Sequence, residues 1–328
     1  MFKYILKRIG AAILILLGVS IILYTLLRCM PTDVVKQKII EISATGATIS
    51  QEQIDLLYKT YGLDGTILEG YFNWLKNALQ GNFGTSFNSG MDVAIEIFDA
   101  DRLGTSFSIA AIATVFEFMI AIPLGITAAT HQYSIRDYVV TVLVIMGISL
   151  PSFFFGRTLQ YIFAFKLDWF AISGATDGNY NLTGFDALWD YLRHMILPVF
   201  TVVILSIGPR MRTTRTNMLE VLNSDYIRTA RAKGLSEQKV IYKHAFRNTM
   251  IPLVTGLAGL IPSLFSGAMI TEQVFDLQGI GKYALNAMNT GDIPVIMTYN
   301  MFLAALSVLG VLLADLMYGI VDPRVKLS

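Results

Sequence analysis

Three histidines, one cysteine and a short glycine–lysine string are the residues of this chain whose types could do chemistry. Gly279-Ile280-Gly281-Lys282-Tyr283 has the outline of a loop that cradles phosphates. Such a loop needs a glycine five residues before Gly281, where Asp276 stands, and Ser or Thr after the lysine, where Tyr283 stands. No nucleotide site is therefore assigned to this chain. His131, His194 and His244 share no metal-ligand spacing, and no carboxylate accompanies two of them on one face, so no metal is expected. The single Cys29 rules out an intramolecular disulfide and a multi-cysteine metal site. No nucleophile–histidine layout can be argued, and the chain does not read as an enzyme.

The remaining candidates are ionisable groups inside apolar runs. Glu117, Arg157 and Asp315 fall within or near such runs. A charge at membrane depth is costly, so a functional role is its default reading. Asp315 lies close to the inner end of its run, and Arg157 can reach an interface by snorkelling. Glu117 is nearer mid-run and is a candidate pathway residue; a structural hydrogen bond to a neighbouring helix is the alternative. Pro151 and Ser152 interrupt the next run and are also pathway candidates. Proline removes a backbone donor, which is tolerated where the freed groups face protein or a wet cavity.

The elements that would position these residues are membrane helices. Hydrophobic residues make up 54% of the chain and charged ones only 15%, against about 25% charged in a soluble domain. Apolar runs at residues 9–27, 109–129, 138–165, 195–208, 251–270 and 295–320 give six spans in an all-α polytopic protein. The fourth, between Pro198 and Pro209, is either short, as on a translocation path, or part of a tilted helix that continues beyond the membrane. In the fifth, Gly256, Gly259, Ser263 and Gly267 are spaced to share one helical face where another helix can approach closely. The first run follows Lys3, Lys7 and Arg8 and reads as a retained span, not a cleaved leader.

The polar segments sort by charge. Residues 31–102 are acidic overall and read as an extracytoplasmic segment, with short helices opening at a Ser50–Gln53 capping box and over residues 67–79. Arg210, Arg212, Arg215, Arg228, Arg231, Lys233, Lys239, Lys243 and Arg247 all fall in the loop between spans four and five. Six spans put that loop and both termini inside, as the positive-inside rule requires. The division is then residues 1–30 as the inner end and first span, 31–102 outside, a transmembrane core over 103–321 with its cytoplasmic loop at 210–250, and a tail at 322–328.

Within the loop, NSDYIRTARAKGLSEQKVIYKHAFRNTMIP reads as two short helices joined at Gly234, with Ser224 and Ser236 as caps. A basic hairpin between spans can simply lie on anionic lipid, or it can dock as a knob in a partner's groove. DYIRTARAKGLS followed by KHAFRNTMIP resembles the coupling loop of bacterial dipeptide/oligopeptide ABC importer permeases. YGLDGTILEGYFNWLKNALQGNFGTSF, the GAMITEQVF string at 267–275 and QGIG at 278–281 also look like that family. Arg228 stands where many permease families have Glu, and Pro252 falls later than the general pattern, both as in the peptide branch.

The resemblance implies the type I ABC importer transmembrane fold. It implies a second homologous permease subunit, two cytoplasmic ATPases that carry ATP and Mg, and an extracytoplasmic peptide-binding protein; membrane lipid surrounds the chain, and no nucleic-acid partner is expected. It assigns contact with an ATPase to Asp225, Tyr226, Arg228, Thr229, Ala230, Arg231, Ala232, Lys233, Gly234 and Leu235. Of these, Tyr226, Ala230, Ala232 and Leu235 would fill the groove, and Arg228, Arg231 and Lys233 would meet its rim. The location implied is the bacterial cytoplasmic membrane. An importer of nickel or another small solute from the same family would share these strings. An ion-coupled secondary transporter would show more intramembrane charge and internal repeats, and a membrane scaffold would not need proline-broken spans.

Overall fold

The computed structural model describes residues 2–29, 34–44, 50–60, 64–178, 182–250 and 259–321. Among these residues the chain is helical, with one isolated bridge between Thr85 and Asp92 and no strand. It divides into two compact units, one formed by residues 1–103 and 283–308, the other by 104–282 and 309–327.

The first unit holds α1 (Phe2–Arg28), α2 (Val34–Ala44), α3 (Gln51–Thr60), α4 (Ile67–Ala78) and α5 (Val93–Ile97). The expected capping box opens α3: the Ser50 hydroxyl accepts from Gln53 N–H, and the Gln53 side chain accepts from Ser50 N–H. A second box, unread in the sequence, opens α4 through Thr66 and Glu69. Hydrogen bonds to Thr66 hold the Glu69 carboxyl below its usual pKa. Tyr71 on α4 meets α1 through the Ser20 hydroxyl at 2.9 Å and an edge-on contact with Tyr24.

The second unit contains most of α6 (Ala100–Thr130), then α7 (Ile135–Ser149), α8 (Ser152–Leu159) running into a π-helical turn at Gln160–Lys166, and α9 (Phe185–Leu222). Its apolar core joins Ile109, Ala113 and Ala121 of α6 to Leu159 and Ala164 and to Met195, Val199, Val203 and Met211 of α9. After α9 come α10 (Asp225–Ala232), the π-helical α11 (Lys239–Phe246), α12 (Leu260–Phe265), α13 (Met269–Val274) and α14 (Ile280–Thr290). The last helix is α15 (Ile293–Val321).

Among the described residues, four helical stretches are long and apolar enough to cross a membrane: Leu6–Arg28, Val93–Thr130, Phe185–Leu222 and Ile293–Asp315. The pair Ile135–Gly147 and Ser152–Lys166, bent by 93°, makes a fifth if it counts as one broken span. That break falls at Pro151, where the sequence places it. The first residues of the expected fifth span, 251–258, lie outside the described residues.

Two boundaries differ from the sequence reading. The fourth span is not short: α9 runs 38 residues through both Pro198 and Pro209. Each proline removes only one ladder bond, and the flanking turns bury Leu197, Val199, Ile207 and Met211. The helix begins at Phe185 after an N-cap at Gly184, so Asp186 and Asp190 lie on it. The fifth run is not continuous to residue 270, because α12 ends at Phe265 and Gly267 has φ +68°.

Candidate functional site

The basic hairpin is built on its own small core. Ile227 and Ala230 of α10 and Val240 and Ala245 of α11 are buried with Ile126 and Ala129 of α6 and Met218 of α9, and Leu235 packs on them. Gly234 ends the first arm with φ +74°, the left-handed backbone that favours glycine. Across that turn, Arg231 donates two hydrogen bonds to Glu237, from Nε at 3.2 Å and a terminal nitrogen at 2.7 Å. Those bonds lower the Glu237 pKa and raise that of Arg231. Ser224 takes the extended N-cap backbone, but its hydroxyl donates to Val221 O at 2.6 Å and caps nothing.

Burial divides the ten hairpin residues singled out in the sequence. Asp225, Tyr226, Arg228, Thr229, Arg231, Ala232, Lys233 and Gly234 are exposed. Ala230 is buried and Leu235 half-buried against the hairpin's own base, where they help hold the knob together. Arg231 is committed to Glu237, and Arg228 lies 3.7 Å from Asp225; the exposed apolar contributions are Tyr226 and Ala232.

Two ion pairs tie α9, which leads into the hairpin, to its neighbours. Arg215 grips Asp137 of α7 at 2.9 and 2.8 Å, a two-pronged pair. Arg210 Nε donates to Glu117 Oε1 of α6 at 2.9 Å. Glu117 is buried and thereby makes the interhelical bond that was its structural reading. Gly125 of α6 allows the same crossing: a Cβ there would lie 2.7 Å from Thr214 Cβ and 2.9 Å from Met211 O.

Pro151 caps α8 with φ −58° and ψ 135°, and Ser152 is its first residue. Arg157 is exposed and donates to Gln160 Oε1 at 3.0 Å. Of the four small residues expected on one face of span five, Gly256 lies outside the described residues. Gly259 has open space beside it, and Ser263 is exposed and bonds Leu260 O. Gly267 is off the helix, with a Cβ position that would meet Gly281 backbone at 2.6 Å, so it does not belong to that face.

Glu272, in the GAMITEQVF string, is fully buried. It accepts from the Ser106 hydroxyl at 2.8 Å, Ala268 N–H at 3.0 Å and Lys282 N–H at 2.8 Å. Burial pushes its pKa up while those donors oppose the rise. The Gly279–Lys282 string is thus tied around a carboxylate, the opposite of a phosphate cradle. Sequence reasoning also passed over a histidine cluster. His194 and Asp190, one helical turn apart on α9, meet Asp177 of the preceding loop. The i, i+4 spacing of Asp190 and His194 was the available signal.

Residues 121–327 match the family model described as "Binding-protein-dependent transport system inner membrane component", and residues 1–118 match the N-terminal model of the same system. The oligopeptide transport system permease protein AppB of Bacillus subtilis is 36% identical over 326 residues, covering 99% of this chain and 100% of the relative. The dipeptide transport system permease protein DppB of Escherichia coli K12 is 32% identical over 343 residues, covering 99% of each. Among solved structures, inward-facing MetNI methionine ABC transporter aligns with a TM-score of 0.52 over 67% of this chain and 94% of that one. At 14% identity, that is a likeness of fold.

Proposed function

The chain belongs to the family of binding-protein-dependent transport system inner membrane components, and from that premise we propose that it forms half of the membrane pathway of an ATP-driven peptide importer. It is a permease subunit of the peptide branch, a multi-pass protein of the cytoplasmic membrane. A substrate-binding protein and an ATP-binding component complete such a system. In this reading the complex pairs the chain with a second homologous permease and two ATPases that hold ATP and Mg. An extracytoplasmic binding protein delivers di- or oligopeptides. The spans number six, with the apolar run at residues 251–270 as the fifth, and both termini and the hairpin are cytoplasmic.

The observation that carries the reading is the hairpin. Its buried base of Ile227, Ala230, Val240 and Ala245 holds it together as a knob, and Tyr226, Arg228, Ala232 and Lys233 are exposed on it. Exposed apolar and basic groups on one such knob suit an acidic-edged groove on a soluble partner. Closure of the ATPases on ATP would move that knob as a body. The Arg210–Glu117 and Arg215–Asp137 pairs would pass the movement to α6 and α7.

The test is gentle affinity purification from the native membrane with mass spectrometry of everything that follows. An ATPase, a second permease and a solute-binding protein are expected, with a peptide retained by the binding protein. Recovery of the chain alone, or only with itself, sinks the reading.

A further inference from the structure

We propose that Asp177, Asp190 and His194 form a binding site for a divalent transition-metal cation, zinc being the best fit, at the head of α9. The side chain of His194 is 2% exposed and that of Asp190 9%, whereas Asp177 is 63% exposed and leaves the cluster an entrance. One potential ligand atom from each residue lies within 4.8 Å of the other two.

A backbone carbonyl orients the ring. His194 Nδ1 lies 2.8 Å from Asp190 backbone O, a bond it makes as the donor, which leaves Nε2 as the free-pair nitrogen. That is the tautomer a metal-bound histidine takes when its other nitrogen is held by a carbonyl. Asp190 is held as well: Asp177 N–H donates to its Oδ2 at 3.1 Å, and Oδ1 lies 3.4 Å from His194 Nδ1, beside the bond that orients the ring. Nε2 faces Asp177 Oδ1 at 3.3 Å. Tetrahedral zinc bonds of about 2.0–2.2 Å to nitrogen and oxygen set neighbouring ligand atoms roughly 3.3–3.5 Å apart, so this edge already has the right length.

Charge argues the same way. Among the described residues, the cation recorded against either carboxylate is His194 itself. Two carboxylates around a neutral imidazole carry two negative charges, which a dication balances and a single proton on the ring does not. The imidazole selects against magnesium and calcium, which prefer all-oxygen shells. Three protein ligands leave a position for water on the Asp177 side. Filled, the site would staple the loop preceding α9 to the helix.

The full-length chain, carrying a histidine-free tag and reconstituted in lipid nanodiscs, is stripped with chelator and titrated with Zn²⁺ by calorimetry at pH 7.5. One equivalent is expected to bind with a Kd in the micromolar range or tighter. Asp177→Asn, an exposed and isosteric change, and Asp190→Asn should each weaken binding by roughly tenfold or more. Asp186→Asn, an exposed acid on the same helix, should leave it unchanged. The melting temperature of Asp177→Asn in chelator should equal that of the parent, separating ligand loss from misfolding. No binding to the parent chain at 100 µM on the order of typical weak affinities, or unchanged binding in Asp177→Asn, overturns the site. So does a parent chain whose melting temperature tracks histidine protonation and ignores zinc.

Discussion

Arg210 and Glu117, ninety-three positions apart in the chain, meet at 2.9 Å between α9 and α6, with the guanidinium 4.5 Å over the Phe118 ring. Arg210→Ala leaves Glu117 buried without its cation. A loss of about 3 kcal/mol is expected, the low end for breaking a buried pair from one side, because Arg210 keeps 20% exposure. Replacing both residues with Gln should cost less than Arg210→Ala alone. Thermal unfolding of the purified chain, arranged as a double-mutant cycle, measures the difference.

The same two helices set a steric condition. A methyl group at Gly125 meets Thr214 Cβ and, at 2.9 Å, the backbone oxygen of Met211. Backbone cannot swing aside as a long side chain can. Gly125→Ala should cost about 1–3 kcal/mol through overpacking, and Gly125→Val more. Thr214→Ala should rescue Gly125→Ala only in part, since the Met211 contact remains; melting temperatures of the three variants report it.

Gly234 poses the opposite problem. Nothing lies within 4 Å of a Cβ built there, so the constraint is its φ of +74° and not space. Asn, which tolerates that backbone, should keep most peptide uptake, whereas Val, which does not, should distort the turn. Gly234→Trp should leave membrane insertion intact while separating ATP hydrolysis from uptake in the assembled importer. Equal uptake by the Asn, Val and Trp variants would remove the turn from the coupling role.

The Arg231–Glu237 pair gives the hairpin a pH dependence with a definite sign. Hydrogen bonds from Arg231 lower the Glu237 pKa in the folded state. Its contribution is therefore complete above the unfolded carboxylate value of about 4.3 and fades as pH falls through the lower, folded one. Both side chains are about half exposed, 44% and 56%, so the pair is worth no more than about 1 kcal/mol. Hydrogen exchange over residues 225–246 should show an acid-side loss of protection that Glu237→Gln abolishes. The exchanged pair Arg231→Glu with Glu237→Arg should restore protection at neutral pH.

What the sequence disclosed was local or periodic. Ser50 and Gln53 announce the start of α3, Pro151 announces the bend between α7 and α8, and the alternation of apolar runs with basic loops announces a membrane protein. The hairpin residues were named from their string, but the string cannot say that Ala230 turns inward while its neighbours Thr229 and Arg231 turn out. Helix α9 was misjudged because proline was weighed as a stop, whereas the apolar face on either side of Pro198 and Pro209 carries the helix through. Partners such as Glu117 and Arg210, or Asp177 and His194, depend on which helices come to lie together, and pair spacing in the chain does not encode that. Thr66 and Glu69 were legible and simply passed over.

The 93° bend at Pro151 has both of its arms, α7 and α8, packed on α9, with α7 also clamped there by Asp137 and Arg215. An elbow whose two limbs are strapped to one shaft cannot straighten without peeling from it. Opening the angle would forfeit both sets of contacts at once, while turning the shaft forfeits neither. Contacts of this kind favour torsion: in the proposed coupling, a push on the hairpin at the end of α9 would be spent in swivelling elbow and shaft together.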